Sequence, residues 1–319
     1  MALDAQIKGQ LAQYLQLLES DVVLQAQLGD DENSQKVRDF LEEIAAMSER
    51  ISMAPANLSR TPSFKIAKLG QESGVEFAGL PLGHEFTSFV MALLQVSGRP
   101  PKIEDELAAR IKAIQKPLHL ETYVSLTCHN CPDVVQAFNI MAVLNPNISH
   151  TMVEGGMFQE EVTAKKIMSV PAVFHDGQLF HSGRATIDEL VEMVAGPISQ
   201  DAFEDKGVFD VLVVGGGPSG NSAARKGIKT GLVAETFGGQ VMETVGIENM
   251  IGTPYTEGPK LMAQVEAHTR EYPVDIMKAQ KAKSIKKTDL IEVELENGAV
   301  LKAKTAILSV GAKWRNINV

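Results

Sequence analysis

The 319-residue chain carries a net charge of −10 and is 44% apolar. That length and apolar content support two or three domains with real cores, and no run of Lys or Arg is long enough to make the basic face of a nucleic-acid binder. No stretch approaches the ~20 apolar residues of a membrane-spanning helix, and the opening MALDAQIKGQ lacks the apolar centre of a secretory signal, so the expected compartment is the cytoplasm.

In chain order, Ile7, Leu11, Tyr14, Leu15 and Leu18 fall on one face of a helix over 5–18. Val22, Leu24, Ala26 and Leu28 alternate as in a strand. Ser34 reads as the cap of a second helix, with Val37, Phe40, Leu41, Ile44 and Met47 turned inward. Strands over 64–69 and 75–78 follow, then a helix over 85–96 that buries Phe86, Phe89, Val90 and Leu93. Gly98, Pro100 and Pro101 stop it, and a further helix over 104–114 completes an α/β block, 1–115, without cysteine. Pro117 opens a second block, 116–195. Leu118, Leu120, Thr122 and Val124 form a strand, and a helix carries Val134, Val135, Phe138 and Met141 inward. A strand over 148–153, a helix over 158–168, a hairpin over 172–180 turning on Asp176-Gly177 and a helix over 186–194 finish it. Residues 196–207 are polar and read as a linker and hinge. A third block, 208–319, begins with the strand FDVLVV and a Gly-rich turn. The Lys-rich stretch 278–287 reads as a solvated connection between strands.

Cys128 and Cys131 are the only cysteines, spaced C-x-x-C between a strand and a helix. A disulfide in the cytoplasm rarely serves as a staple, and a close pair in a βαβ setting favours redox chemistry. Pro132 suits the first helical turn. The free N–H groups and positive end of that helix favour a thiolate at Cys128, and Cys131, one turn on, can resolve a mixed disulfide. His129 lies between them and would favour the thiolate further. Half of a zinc site and inert thiols are the alternatives; zinc would need two more ligands, and no two of the seven histidines have finger-like spacing. Pro171 begins a strand 40 residues after Cys131, in the order of thioredoxin, where a cis-proline packs against the dithiol. Glu85, in GHEF, is either a plain acidic residue at a helix start or a proton acceptor aimed at Cys128.

GGGPSG places Gly215, Gly217 and Gly220 as G-x-G-x-x-G directly after a strand. That is the context of a dinucleotide site: Gly215 for the tight turn, Gly217 for approach of the pyrophosphate, Gly220 for close packing. Glu235, at the end of GLVAE, could bind ribose hydroxyls. The turn alone does not separate FAD from NAD.

TFGGQ (236–240) and GIENMIG (246–252) resemble motifs that lie along the flavin in thioredoxin reductases. ETYVSLTCHNCPDVVQAFN, NPNISHTMVEGGMFQ and GAKWRNINV resemble the flavoprotein subunit of bacterial alkyl hydroperoxide reductase over essentially the whole chain. The resemblance implies two fused thioredoxin-like folds followed by part of a Rossmann-type FAD-binding domain. It implies an oxidoreductase that passes electrons from NADH through FAD and the Cys128–Cys131 dithiol to a peroxiredoxin, the other component of the alkyl hydroperoxide reductase system, which reduces alkyl hydroperoxides. Gly215, Gly217, Pro218, Ser219, Gly220, Glu235, Gly239, Gln240 and Asn249 would line the FAD, and the core would be a homodimer. In the family an NADH domain and a second, flavin-proximal C-x-x-C come after the position of Val319. The chain is therefore expected to be part of a longer protein, able by itself only of dithiol–disulfide exchange. Between Gly220 and Gly227 it is shorter than the family pattern by ~4 residues, about one helical turn. The competing readings are a stand-alone dithiol oxidoreductase and a non-catalytic module that docks a peroxiredoxin.

Overall fold

The first two helix starts follow the capping chemistry of the sequence. In this computed structural model, which describes residues 4–204, 206–221 and 228–312, Asp4 accepts the Ile7 N–H at the head of α1 (Ala5–Leu15). Asp31, rather than Ser34, caps α2 (Glu32–Ala46) by accepting the Ser34 N–H. A carboxylate at the N-cap satisfies the free N–H and also meets the helix dipole. Ser34 is buried inside the first turn, accepts the Gly29 N–H and donates to Asp31.

The chain divides into two compact units, Met1–Val191 and Glu192–Val319. In the first, the strands β1 (Val22–Gln27), β2 (Ile51–Pro55), β3 (Ser63–Lys68) and β4 (Val75–Ala78) precede a 3₁₀ turn at Gly83–Glu85, α3 (Phe86–Val96) and α4 (Asp105–Lys112). Then come β5 (Leu118–Val124), α5 (Cys131–Leu144), β6 (Ile148–Glu154), α6 (Gln159–Ala164), β7 (Ala172–His175), β8 (Gln178–Ser182) and α7 (Ile187–Ala195). The helix expected over 158–168 is thus only α6, and β2 had no counterpart in the sequence reading. The hairpin turns at Asp176 and Gly177, both at positive φ.

The sheet order is β2-β1-β3-β4-β6-β5-β7-β8. β1 runs parallel to β2 and antiparallel to β3, which is antiparallel to β4. β5 repeats this with β6, β7 and β8. One topology occurs twice, and the parallel pair β4–β6 joins the copies into a single eight-stranded sheet. Phe64 and Phe77 stack in its core at 5.5 Å between ring centroids, Phe89 meets both edge-on at 5.9 Å, and Phe40 lies 5.2 Å from Phe89. His150 is fully buried under α5 between Thr122 (2.8 Å) and Asn139 (2.7 Å); burial pushes its pKa down to about 3 and keeps the ring neutral.

Arg60 ties the two copies together. It stands just before the cis Thr61–Pro62 bond and reaches Glu121 on β5 (2.6 Å), Glu161 on α6 (2.8 Å) and the Tyr123 hydroxyl (3.2 Å). Burial works against the guanidinium charge, but the Glu161 and Glu121 carboxylates more than offset it and hold Arg60 protonated.

The second unit holds α8 (Asp201–Glu204), β9 (Val208–Val214), α9 (Pro218–Asn221), β10 (Thr230–Val233), α10 (Gly258–Thr269), β11 (Val274–Met277), β12 (Ala282–Lys287), β13 (Ile291–Leu295) and β14 (Val300–Leu308). Its sheet runs β11-β10-β9-β14-β13-β12. The first four strands of that order are parallel, and β12 and β13 add an antiparallel edge. This is a Rossmann-type arrangement with the Gly-rich turn after its central strand.

Two sequence expectations change here. The segment read as a linker seats Ile198 and buried Phe203 against a core that includes Phe209, Leu212 and Leu295. Gln200 donates to the Asn297 carbonyl at 2.6 Å. Polar composition hid a single aromatic anchor. Of the Lys-rich stretch read as a connection, 278–281 do link β11 to β12, but Ala282–Lys287 form the edge strand β12, with Lys283 and Ser284 bound to Glu294 of β13. Lysines are a common way to keep such an edge soluble. The final GAKWRNINV matches from Lys313 onward, and the shortened segment after Gly220 from Ser222 onward, lie outside the described residues.

Candidate active site

A six-residue loop connects β5 to α5. Its turn is closed by the Cys128 N–H on the Ser125 carbonyl at 2.9 Å. Cys131 is the first residue of α5, with Pro132 in the first turn. The N-cap position, Asn130, makes no side-chain capping bond, so the positive end of the helix stays open to the loop. Cys128 and Cys131 form a disulfide. Cys131 is fully buried, while Cys128 is half-buried. The two sulfurs thus differ in what can reach them: an outside disulfide meets Cys128 first.

The Cys128 Sγ lies 3.8 Å from the Val170 carbonyl oxygen, and the Val170–Pro171 bond is cis. Pro171 is therefore brought to the dithiol, as its spacing implied. The Gly183 N–H donates to the Pro171 carbonyl at 2.9 Å. The next residue, Arg184, pairs with Asp133 in the first turn of α5 at 2.8 Å.

The cysteine-free copy supplies the opposite wall. The His84 N–H donates to the Leu126 carbonyl at 3.0 Å. Gly83 has φ +56, and a Cβ there would overlap that same carbonyl, so the loop and turn touch backbone to backbone. The exposed rings of His84 and His129 meet at 4.0 Å between centroids. Glu85 is fully buried in that turn, with no hydrogen-bond partner on either carboxylate oxygen. Burial pushes its pKa up to about 7; the neighbouring Ser88 hydroxyl opposes this, and the Asp133 charge adds to it. The structure so gathers Cys128, Cys131, His129, Pro171 and the Glu85 turn. His84, Asp133, Val170 and Arg184 also belong to the site and escaped the sequence reading. Asp133, an acid in a first helical turn, is unremarkable by itself, and Arg184 meets it only through the fold.

In the second unit the glycines behave as a phosphate turn requires. Gly215 has φ +117 and no room for a side chain beside the Ser309 carbonyl, and Gly220 packs onto the Gly215 carbonyl. Gly217 has open space where a Cβ would stand, and Pro218 and Ser219 are exposed at the start of α9. Asn221 fixes the turn by donating to the Gly216 and Gly217 carbonyls and accepting from Thr269. Gly239 lies alongside Gly217, 3.6 Å from its Cα to the Cβ position. Gln240 and Asn249 are exposed. Glu235 stands two residues past β10, not at its end, 3.8 Å from Lys281. The tight turn, open Gly217 and exposed helix start fit the pyrophosphate of a dinucleotide. Among the described residues no cluster of His, Cys, Asp or Glu could hold a metal ion, and no helix is long and apolar enough to cross a membrane.

A thioredoxin-type dithiol on a doubled thioredoxin-like sheet, followed by a Rossmann-type unit, defines a disulfide-oxidoreductase architecture. The family model for the thioredoxin domain matches residues 118–195. The chain is 56% identical over its whole length to a Bacillus subtilis protein called NADH dehydrogenase, covering 64% of it. It is 49% identical over 99% of its length to the F subunit of alkyl hydroperoxide reductase of Staphylococcus epidermidis, covering 63% of that protein. The crystal structure of the N-terminal domain of alkylhydroperoxide reductase AhpF from Enterococcus faecalis is covered completely by 60% of this chain, at 33% identity and a TM-score of 0.57. The chain belongs to the AhpF family, the F subunits of alkyl hydroperoxide reductase. It spans slightly less than two thirds of the length of the curated relatives it matches.

Proposed function

We propose that this chain is the electron-delivering part of an NADH-dependent peroxiredoxin reductase, working in the cytoplasm as a homodimer and handing electrons from a flavin to a peroxiredoxin disulfide through Cys128 and Cys131. The observation that carries the reading is the asymmetry of the dithiol: Cys128 is reachable at an uncapped helix end against Val170, and Cys131 is buried behind it.

In the reduced protein the Cys128 thiolate attacks one sulfur of the partner's disulfide. That bond breaks, a mixed disulfide forms, and the partner's other sulfur leaves as a thiolate. Cys131 then loses its proton, for which the Glu85 carboxylate of the neighbouring turn is the proposed acceptor for the dithiol, and attacks the Cys128 sulfur. The mixed disulfide breaks, the partner leaves with both sulfurs reduced, and Cys128–Cys131 is left oxidised by two electrons. A group with a pKa near 7 is matched to that proton transfer at neutral pH. FAD would supply the two-electron relay from NADH. Gly215, Gly217, Pro218, Ser219 and Gly220 would hold its pyrophosphate, with Glu235, Gly239, Gln240 and Asn249 along the rest.

The test follows electrons from the reduced protein to an oxidised peroxiredoxin. Cys128→Ser is expected to abolish transfer, and Cys131→Ser to trap a mixed disulfide visible by mass. Undiminished delivery by Cys128→Ser would sink the reading and favour a docking module with incidental thiols.

A further inference from the structure

The contacts around the dithiol close into a ring. Cys128 meets the Val170 carbonyl, Pro171 follows, and its carbonyl receives the Gly183 N–H. Arg184 crosses to Asp133, two residues beyond Cys131 on α5, and the disulfide returns the path to Cys128. Every link but one is backbone, covalent or sulfur. The exception is the Arg184–Asp133 ion pair, which is also the one link carrying charge. Asp133 is the only acid in the first turn of α5. Unpaired, it would oppose the positive helix end that favours a thiolate.

We propose that Arg184 is a positioning residue for the dithiol. Through Asp133 it fastens the turn beyond β8 to the head of α5, and it cancels the carboxylate charge that the first turn of α5 itself sets against the Cys128 thiolate. This rests on the reading of Cys128 as the nucleophile. The side chain suits that role, being only 14% exposed, whereas Asp133 is 47% exposed. The other ionisable groups facing the site are His84 and Glu85 from the turn before α3, His129 in the loop, and His181 on β8, whose Nε2 lies 3.0 Å from the Gly183 carbonyl. At the start of α7, Glu189 is engaged by the Thr186 N–H and hydroxyl.

The experiment measures the pH dependence of Cys128 alkylation by iodoacetamide in the reduced full chain, together with circular dichroism. Arg184→Met is expected to move the profile to higher pH and slow alkylation at pH 6.5 by about three- to tenfold, the range for losing a partly exposed neighbouring charge. Arg184→Lys should stay close to the wild type. Asp133→Asn combined with Arg184→Met should restore the profile, because the charge being cancelled is gone. If Arg184→Met does not fold, Asp133→Asn alone decides, and it should move the profile to lower pH. A wild-type profile in Arg184→Met, or a double variant as shifted as the single, overturns the charge role of Arg184 while leaving Cys128 as the nucleophile. A reduced wild type with no reactive thiolate overturns the underlying reading as well.

Discussion

The two copies of the thioredoxin-like topology treat the same helix start in opposite ways. In the first, a short connection from β1 to α2 is sealed: Asp31 caps the helix, Ser34 and Gly29 close on each other, and the Gly29 Cβ position is 3.3 Å from the Thr61 methyl beside the cis Thr61–Pro62 bond. In the second, the longer loop from β5 leaves α5 uncapped and puts Cys128 against the residue before its own cis-proline. Where the helix end binds its own chain, no chemistry is available to an outside sulfur. Where it is left open, its partial charge is free for a thiolate. The first copy contributes instead from the side, with Arg60 as a brace and Glu85 as a buried acid.

The comparison breaks most strongly at the brace. Arg60→Met leaves the partly buried Glu121 and Glu161 with only Lys165, 3.5 Å from Glu121, as a neighbouring cation, and is expected to destabilise the protein by about 2–4 kcal/mol in denaturant unfolding. Adding Glu121→Gln and Glu161→Gln should recover much of that loss; no recovery would mean that the arginine acts by packing alone.

The buried acid comes next. Glu85 has a folded pKa of about 7, above the ordinary carboxylate value. Its neutral form therefore suits the native state, and that benefit is complete below about pH 4.5 and is lost as pH rises through 7. Glu85→Gln stays neutral, so it should be more stable than the wild type at pH 8, by about 2–3 kcal/mol, and little different at pH 4. The same variant should slow electron transfer about tenfold or more near neutral pH. A variant with an unchanged rate at every pH would make Glu85 a core residue and nothing else.

The smallest effect sharpens the contrast from the sealed side. Ser34→Ala removes one buried bond of the cap and should cost about 1 kcal/mol, with no change in dithiol exchange. A slowed exchange would mean that the first helix start still communicates with the second.

Much of this was legible in the residues. The cysteine spacing, Pro171 and the Gly-rich turn are local patterns, and local patterns survive in a sequence. So does the Asp176-Gly177 hairpin, whose two residues accept positive φ. What stayed hidden depends on pairing across the fold. β2 has only Ile51 fully buried, so it shows no strand periodicity. Lys283 looks solvated until Glu294 is set beside it. Phe203 was the one clue that a polar stretch is anchored. Arg184 and Asp133 belong to different elements, and nothing in either neighbourhood announces the other.

The parallel junction of β4 with β6 bears on how the protein is made. β4 is a central strand with all four residues buried, yet its partner β6 begins about seventy residues later in the chain. At roughly 5–20 residues per second of synthesis, the first copy spends several seconds on the ribosome with an apolar strand edge unpaired. During that interval Phe77 has a place in its own core while the β4 backbone has none, which makes the nascent first copy a natural client for chaperones and its edge the first point of misassembly when synthesis stalls.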